Sequence, residues 1–521
     1  MRHPGSLMAA PLPGRDPFVG TGARAAAWFL GAAGLLPWPI LFIVIGNHLV
    51  SPDISRGVAY ETVRRLMQGL DIYPAPSGEF VPLDYNPLLH LFGAGAALLL
   101  GLSPATLRLV AVAGTLGAAA IIYLAVRRAT GSAWFGVVAS GLFAGAYRTF
   151  DCYLDHAQPD SWMLFTALAG LYLLQDEDRP AVIALAVVFL CAAFWFKQQG
   201  ALLAIGGVLY VTWRQGLRRA APWWLLAALL GPVAYFALGP RLFGADFIYY
   251  TYEVPRAYSQ FRLRGLLHAG WFVSRYWPLP AVVAVWGILS RRWRASPADI
   301  WTFTFPFAML IGFLGSMDYS EHNVYIAAAT WFIIVGLSTL ARMAKAAASR
   351  PPAPRRRAVA AILVVVALSF AANLYNPRSV MVPRRARQDY NSLVAQVRDL
   401  GGNVYMPGVG QLPGDVRLPV PVQWVPLHDL VRGPGHNVAD DSLVRAVLKD
   451  VLRPSGEAFI IADRPLPEEE LFAFLAPHYD LVEDMGNRYE SLRSLPGWYS
   501  GRTWPRYLYR HRAEVAGTTC G

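Results

Sequence analysis

The sequence predicts a polytopic α-helical membrane protein of about eleven spanning helices, followed by a C-terminal extracytoplasmic α/β domain. Three observations carry this prediction. Of 521 residues, 55% are hydrophobic and only 15% charged, whereas a soluble chain carries about a quarter. Apolar runs of about 20 residues, the length a bilayer core requires, recur up to residue 375 and then stop. Alternate connections between these runs are rich in Arg, so the net charge of +12 reads as an orientation signal and gives no support to nucleic-acid binding. Cys152, Cys191 and Cys520 are too scattered for a metal cluster or a disulfide framework.

The first helix, residues 24–46, follows Arg2, Arg15 and Arg24, which places the N-terminus in the cytoplasm. A cleaved signal peptide would have a shorter apolar region, and this one is long and interrupted by proline. An outer loop, 47–104, comes next. Within it residues 87–103 are apolar enough to span, but counting them would turn the two-Arg loop after residue 126 outside. They are therefore read as a helix along the outer interface. The remaining spans are 105–126, 132–149, 160–175, 180–196, 200–213, 220–239, 278–290, 300–316, 323–341 and 358–375, with a second long outer loop at 240–277. The connections 127–131, 176–179, 214–219, 291–299 and 342–357 then fall inside, and all but one are Arg-rich. Residues 376–521 hold 17 basic and 17 acidic residues and no spanning run. Strands at 403–406, 458–462 and 507–509 alternate there with helical patterns at 388–400, 440–452 and 467–476, as in a small α/β domain.

Candidate chemistry gathers on the outer loops, where a membrane protein's acids are most informative. Asp53 lies just past the first helix, ahead of an amphipathic helix whose Ala59, Val63, Leu66, Met67 and Leu70 share a face and which Gly69 closes. Asp53 then sits at the membrane surface, either as a working carboxylate or as a helix cap. The run TFDCYLDHAQPDSW brings Asp151, Asp155, His156 and Asp160 into one outer mouth, a set suited to a metal, an acceptor or a shared proton, or to a solvated loop in which Asp160 caps a helix. Lys197, ending a span in WFKQQG, either snorkels or meets a phosphate. Arg256, Arg262 and Arg264 in the second outer loop break the charge bias, for which an anionic headgroup is the simplest reason. His322, in DYSEHNVY beside Glu321 and Asn323, is a lone imidazole, a pattern more often structural than catalytic.

These loops resemble those of the GT-C membrane glycosyltransferases, among them the lipid A aminoarabinose transferases, the protein O-mannosyltransferases and the bacterial family 39 group. The resemblance rests on an early outer Asp, an amphipathic helix ending in G-x-D-I-Y, the segment LDHAQPDSWMLFTALAGLYLL, and K-x-x-G at Lys197–Gly200. It covers residues 40–215 well and the rest by architecture. It implies sugar transfer from a polyprenyl-phosphate donor to a lipid, glycan or protein acceptor on the outer face of a bacterial inner membrane, with inversion. By the same resemblance Asp53 is the catalytic base, Asp160 the second acid and Lys197 a donor-phosphate contact; the phosphate's need for cations at the outer surface adds Arg256, Arg262 and Arg264. Glu61, Asp155, His156 and His322 are supporting candidates. Relatives often carry an acidic pair in the first loop, but Asp53 is followed by Ile54, so the partner acid is either missing or Glu61.

No cofactor is expected; a divalent cation, held among Asp53, Asp155, His156 and Asp160, is the alternative. The competing class is a lipid or sugar transporter, which would place ionisable groups at mid-membrane, whereas these helix interiors are almost free of charge. A membrane-anchored sensor would explain the C-terminal domain but leave the first loop without a role.

Overall fold

The computed structural model describes residues 21–52, 57–258, 263–290, 299–316, 321–401, 403–408, 412, 418, 421–434, 442–469, 471–493 and 504–512. Every one of the eleven apolar segments is helical. The first is α1 (Thr21–Leu35) and α2 (Pro37–Val50), broken where Pro37 lacks an amide to bond back along the helix. The outer loop holds α3 (Gly57–Met67) and α4 (Leu88–Leu100). Then follow α5 (Pro104–Thr130), α6 (Ala133–Gly145), α7 (Asp160–Leu174), α8 (Pro180–Phe196) and α9 (Gly200–Gln215). Next, α10 (Leu217–Ala228) runs through a π turn into α11 (Ala234–Phe243). The second outer stretch contains a π turn at Tyr249–Glu253, α12 (Val254–Tyr258) and α13 (Leu263–Tyr276). The helical half closes with α14 (Pro278–Leu289), α15 (Ile300–Gly315), α16 (Ile326–Ala348) and α17 (Pro352–Ala371).

Trp28–Val50, Pro104–Thr130, Leu217–Phe243 and His322–Ala348 are each long and apolar enough to cross a bilayer, and α13 with α14 makes a fifth candidate bent by 103°. Shorter apolar helices pack between them. At the centre stands α16, with every residue from Ile326 to Ala341 buried. The outward faces expose Trp28, Phe29, Leu98, Leu99, Leu225 and Leu289, an apolar surface that only a lipid phase covers. Where α1 crosses α6, a methyl group on Gly141 would stand 2.0 Å from the Gly34 carbonyl oxygen, so glycine alone permits this approach.

Polar loops sort to two ends. At one, Arg128 donates to the Gln175 carbonyl and Arg214 pairs with Asp178. At the other, the first outer loop meets residues 146–159, 197–199 and 321–325. α4 has 13 residues, about 20 Å of helix, well short of the ~30 Å core. It packs against α3 and α5. The amphipathic helix forms, but its buried side is Val58, Ala59, Thr62 and Val63, while Met67 and Leu70 are exposed. Thus its apolar face turns mainly into protein, with the expected face split between buried Ala59 and Val63 and exposed Met67 and Leu70.

The C-terminal domain runs α18 (Ala386–Asp399), β1 (Val404–Tyr405), α19 (Trp424–Val431), α20 (Ser442–Val447), α21 (Lys449–Leu452), β2 (Phe459–Ala462), β3 (Tyr479–Asp484) and β4 (Tyr507–His511). The sheet order is β1-β2-β4-β3, with β1 parallel to β2 and the other pairs antiparallel. Two elements went unforeseen, α19 and β3, and the helix expected at 467–476 is a pair of 3₁₀ turns. Alternation along β2 divides the domain: Phe459 and Ile461 pack on α18, whereas Ile460 and Ala462 face the other way. On that second face Leu427, Leu430, Val447 and Tyr509 form one core with Ile72, Tyr73 and Val81 of the first outer loop, Tyr235 of α11, and Phe247, Tyr250 and Val254 of the second outer loop. The domain is thereby docked onto the outer loops through a continuous apolar core.

Candidate active site

Lys197 ends α8, and the turn that follows is tight because Gly200 passes so close to α8 that a methyl there would lie 2.3 Å from the Ala193 carbonyl. This turn delivers the ammonium to Asp160, the first residue of α7, at 2.8 Å. Both are buried. Asn323, at the start of the α16 hairpin, donates its amide to both oxygens of Asp160 at 3.3 Å. The Lys197 ammonium also lies 5.3 Å from the centre of the Tyr85 ring. The structure therefore joins Asp160, Lys197 and Asn323, which lie far apart in sequence, and holds Asp160 in a buried ion pair in place of the solvated loop that was one alternative for it.

Two of the neighbouring residues were not anticipated. Asp84 and Tyr85 sit in the Pro-flanked stretch VPLDYNP, clasped by the end of α8: Asn86 donates to the Phe194 carbonyl at 2.6 Å, and the Gln198 amide donates to the carbonyls of Asp84 and Thr251 at 2.6 and 2.8 Å. Tyr73 donates its hydroxyl to the Tyr85 carbonyl. Burial, reinforced by the Asp429 carboxylate, pushes the Asp84 carboxyl up to about 8, against the opposing pull of Lys197 and Arg432. Burial likewise pushes the Tyr85 phenol up, with the carboxylates of Asp84, Asp160, Asp429 and Glu321 adding to it. The sequence signal was available in principle: a lone acid between apolar residues, with no base nearby to solvate or pair it.

Asp155 has a different role. It is fully buried and accepts from His48 at 2.7 Å, Tyr147 at 2.8 Å and Arg108 at 3.1 Å. Burial alone would push its carboxyl up, but Arg108 and the hydrogen bonds from His48 and Tyr147 outweigh this and hold it below the usual range. The other His48 nitrogen lies 2.7 Å from the Val380 carbonyl, and Asn47 exchanges two hydrogen bonds with Val382. This network pins the end of α2 and the entry to the C-terminal domain, which is a structural task. His156 is buried and lies against Tyr153, with ring centres 5.3 Å apart.

The His322 backbone amide donates to the Asp151 carboxylate at 2.8 Å, and its ring packs among His268, Trp271, Phe272 and Tyr325. Asp151 reaches it from a left-handed backbone, φ 51°, followed by Cys152 at 63°. Glu61 is locked by its helix neighbour Arg64, so the loop's buried acid is Asp84 in its place. Arg256 is exposed over the Tyr252 ring, and Arg264 is exposed on the first turn of α13, so neither shares the Lys197 enclosure. Asp53 and Arg262 lie outside the described residues. Among the described residues no three His, Cys, Asp or Glu side chains converge as a metal site. Asp155 and Asp160 are instead committed to separate cationic partners.

No protein-family model matches the chain, and no curated protein matches it by sequence. Among solved structures it is similar to ArnT from Cupriavidus metallidurans, both bound to undecaprenyl phosphate and in the apo state. Each alignment has 16% identity and a TM-score of 0.50, covering 95% of this chain and 100% of ArnT. Arabinosyltransferase EmbB from Mycobacterium smegmatis aligns over 70% of this chain and 42% of its own, at 14% identity and a TM-score of 0.39. The chain has the fold of ArnT, the GT-C fold of membrane glycosyltransferases.

Proposed function

We propose that the protein transfers a sugar from a polyprenyl-phosphate donor to a hydroxyl acceptor on the outer face of a bacterial inner membrane. In this reading the N-terminus is cytoplasmic, the C-terminal domain is extracytoplasmic, and the acceptor is a glycolipid, lipopolysaccharide, cell-wall glycan or protein. The observation that carries it is the buried union of Lys197, Asp160, Asn323 and Asp84 beneath the docked domain, in a chain whose fold is that of ArnT, itself crystallised with undecaprenyl phosphate.

The chemistry assigns each group a task. The acceptor oxygen attacks the anomeric carbon from the face opposite the phosphate. The bond from that carbon to the phosphate oxygen breaks, its electron pair leaves with the polyprenyl phosphate, and the configuration inverts. The acceptor proton goes to Asp53. Lys197 meets the phosphate charge, fixed by Asp160 and Asn323. Asp84, protonated up to about pH 8, donates a hydrogen bond that a carboxylate cannot make. Arg256, Arg262 and Arg264 guide the anionic donor toward Lys197.

The test is transfer by purified protein from an undecaprenyl-phosphate sugar to extracted envelope glycolipids, with Asp53→Asn as control. Turnover by the wild type that Asp53→Asn abolishes supports the reading. Near wild-type turnover by Asp53→Asn removes that residue from the mechanism. Binding of undecaprenyl phosphate with no transfer to any acceptor class favours a transporter.

A further inference from the structure

We propose that Asp151 is a positioning residue of the outer site, whose carboxylate fixes the backbone at His322 and so aims Asn323 at the Asp160–Lys197 pair. The proposal deepens the transfer reading above and rests on it only for the kinetic arm of its test.

Four hydrogen bonds among buried residues make one unbroken line. Asp151 Oδ2 accepts from the His322 backbone amide at 2.8 Å. His322 opens the 3₁₀ turn His322–Tyr325, which runs directly into α16, the central helix. The next residue of that turn, Asn323, donates to both oxygens of Asp160 at 3.3 Å, and Asp160 accepts from Lys197 at 2.8 Å. The three steps span 171, 163 and 37 residues of sequence, so only tertiary structure brings these groups together. The Asn323 link is the sensitive one. A single amide nitrogen serves two carboxylate oxygens, each at a long distance, so a small displacement of the turn breaks one of the bonds. What holds the turn therefore sets how firmly Asp160, and through it the ammonium of Lys197, is fixed.

The backbone at Asp151 points the same way. Asp151 and Cys152 take φ of 51° and 63°, a conformation that strains a residue carrying a Cβ. Among the described residues, positive φ is otherwise taken by seven glycines and Asp176. A turn that only had to reverse the chain after α6 would be better served by glycine here as well. Aspartate keeps the strain and gains an acceptor, which the turn delivers to His322. The turn itself is closed by hydrogen bonds from Asp151 to the Arg148 carbonyl at 3.1 Å and from Cys152 to the Tyr147 carbonyl at 3.0 Å. It is braced further where Thr149 donates to the Asn373 side chain at 2.8 Å, and Arg148 holds the other Asp151 oxygen at 3.2 Å. The carboxylate is thus fixed from its own side before it fixes anything else.

The experiment separates the acceptor from the turn. Full-length protein in nanodiscs is exchanged into deuterium and read at single amides by mass spectrometry. In Asp151→Gly, which suits the backbone but has no acceptor, the His322 amide should exchange at least about tenfold faster, while residues 333–340 inside α16 stay protected. Asp151→Asn keeps a side-chain oxygen and tolerates the left-handed backbone, so it should exchange as the wild type does. In turnover, Asp151→Gly and Asn323→Ala should each raise the donor KM about tenfold with kcat little changed. The double variant should be no worse than either single one, because both cut the same line. Unchanged exchange at His322 in Asp151→Gly, loss of protection throughout α16, or additive effects of the two substitutions overturn the proposal. If Asp151→Gly fails to fold, Asp151→Asn decides: wild-type exchange and KM, beside a raised KM in Asn323→Ala, support the proposal, and faster exchange at His322 overturns it. No substrate enters the exchange arm, so failure there is distinct from failure of the transfer reading.

Discussion

Replacing Asp84 by Asn separates a protonated carboxyl that donates a hydrogen bond from a carboxylate that accepts a proton. Held at about 8, the group is about 90% protonated at pH 7 and about 10% at pH 9. If the protonated form is the working one, kcat/KM of the wild type falls about tenfold between those pH values. Asn keeps an N–H donor and cannot ionise, so the variant retains activity and loses the alkaline decline, whereas Asp84→Ala loses activity throughout. Stability supplies an independent reading. Between pH 4 and 8 the folded chain holds a proton that the unfolded chain has released, because the folded value of about 8 exceeds the ordinary 3.8. The contribution is complete below 3.8 and is lost as pH rises through about 8, with a slope of about 1.4 kcal/mol per pH unit inside that window. Asp84→Asn should flatten this slope and melt above the wild type at pH 9. The assays are a pH–rate profile with an undecaprenyl-phosphate sugar and thermal unfolding at five pH values. A wild-type rate that climbs to a plateau above pH 8, or an alkaline limb that survives in the Asn variant, refutes the donor role.

Lys197→Met strands the buried Asp160 carboxylate, so it should cost about 3–5 kcal/mol in thermal unfolding and abolish binding of undecaprenyl phosphate, measured by native mass spectrometry. Asp155→Ala should lower stability by a similar amount, through loss of its bonds to His48, Tyr147 and Arg108, while the folded fraction keeps its donor KM. Gly141→Ala forces a methyl against the Gly34 carbonyl and should cost more than about 3 kcal/mol, read as loss of monodisperse protein in detergent. Turnover should be unchanged by a chelator and by added divalent ions, since Lys197 meets the leaving phosphate in the proposed mechanism.

Periodicity and charge were enough to place the helices, because apolar length and Arg-rich connections are local properties. Lys197 and Asp160 were each legible as candidates, yet their ion pair was not, since it depends on how α7 and α8 turn at the same end. Asp84 escaped notice for a related reason. Its burial depends on Gln198 and on a domain that begins almost 300 residues later, so within VPLDYNP the only signal is a lone acid among apolar residues. Asp155 shows the reverse case. An acid beside a His and two further acids reads as a reactive cluster, but a His from α2, an Arg from α5 and a Tyr just past α6 had already claimed it. The helix α19 was obscured by Pro426 and by short flanking runs too brief to establish a period.

The docked core also dictates when this protein becomes complete. β4 lies between β2 and β3 in the sheet, and it is the last described element of the chain. Until it has been synthesised, Ile460 and Tyr509 cannot close over Ile72, Tyr73 and Val81, which leave the ribosome more than 400 residues earlier. Through that interval the helices can insert while the outer loops stay uncovered and Asp84 stays wet. A chain stalled before Tyr507 should therefore be inserted but lack the docked core, and a protein built this way completes its buried site only once its last strand has been made.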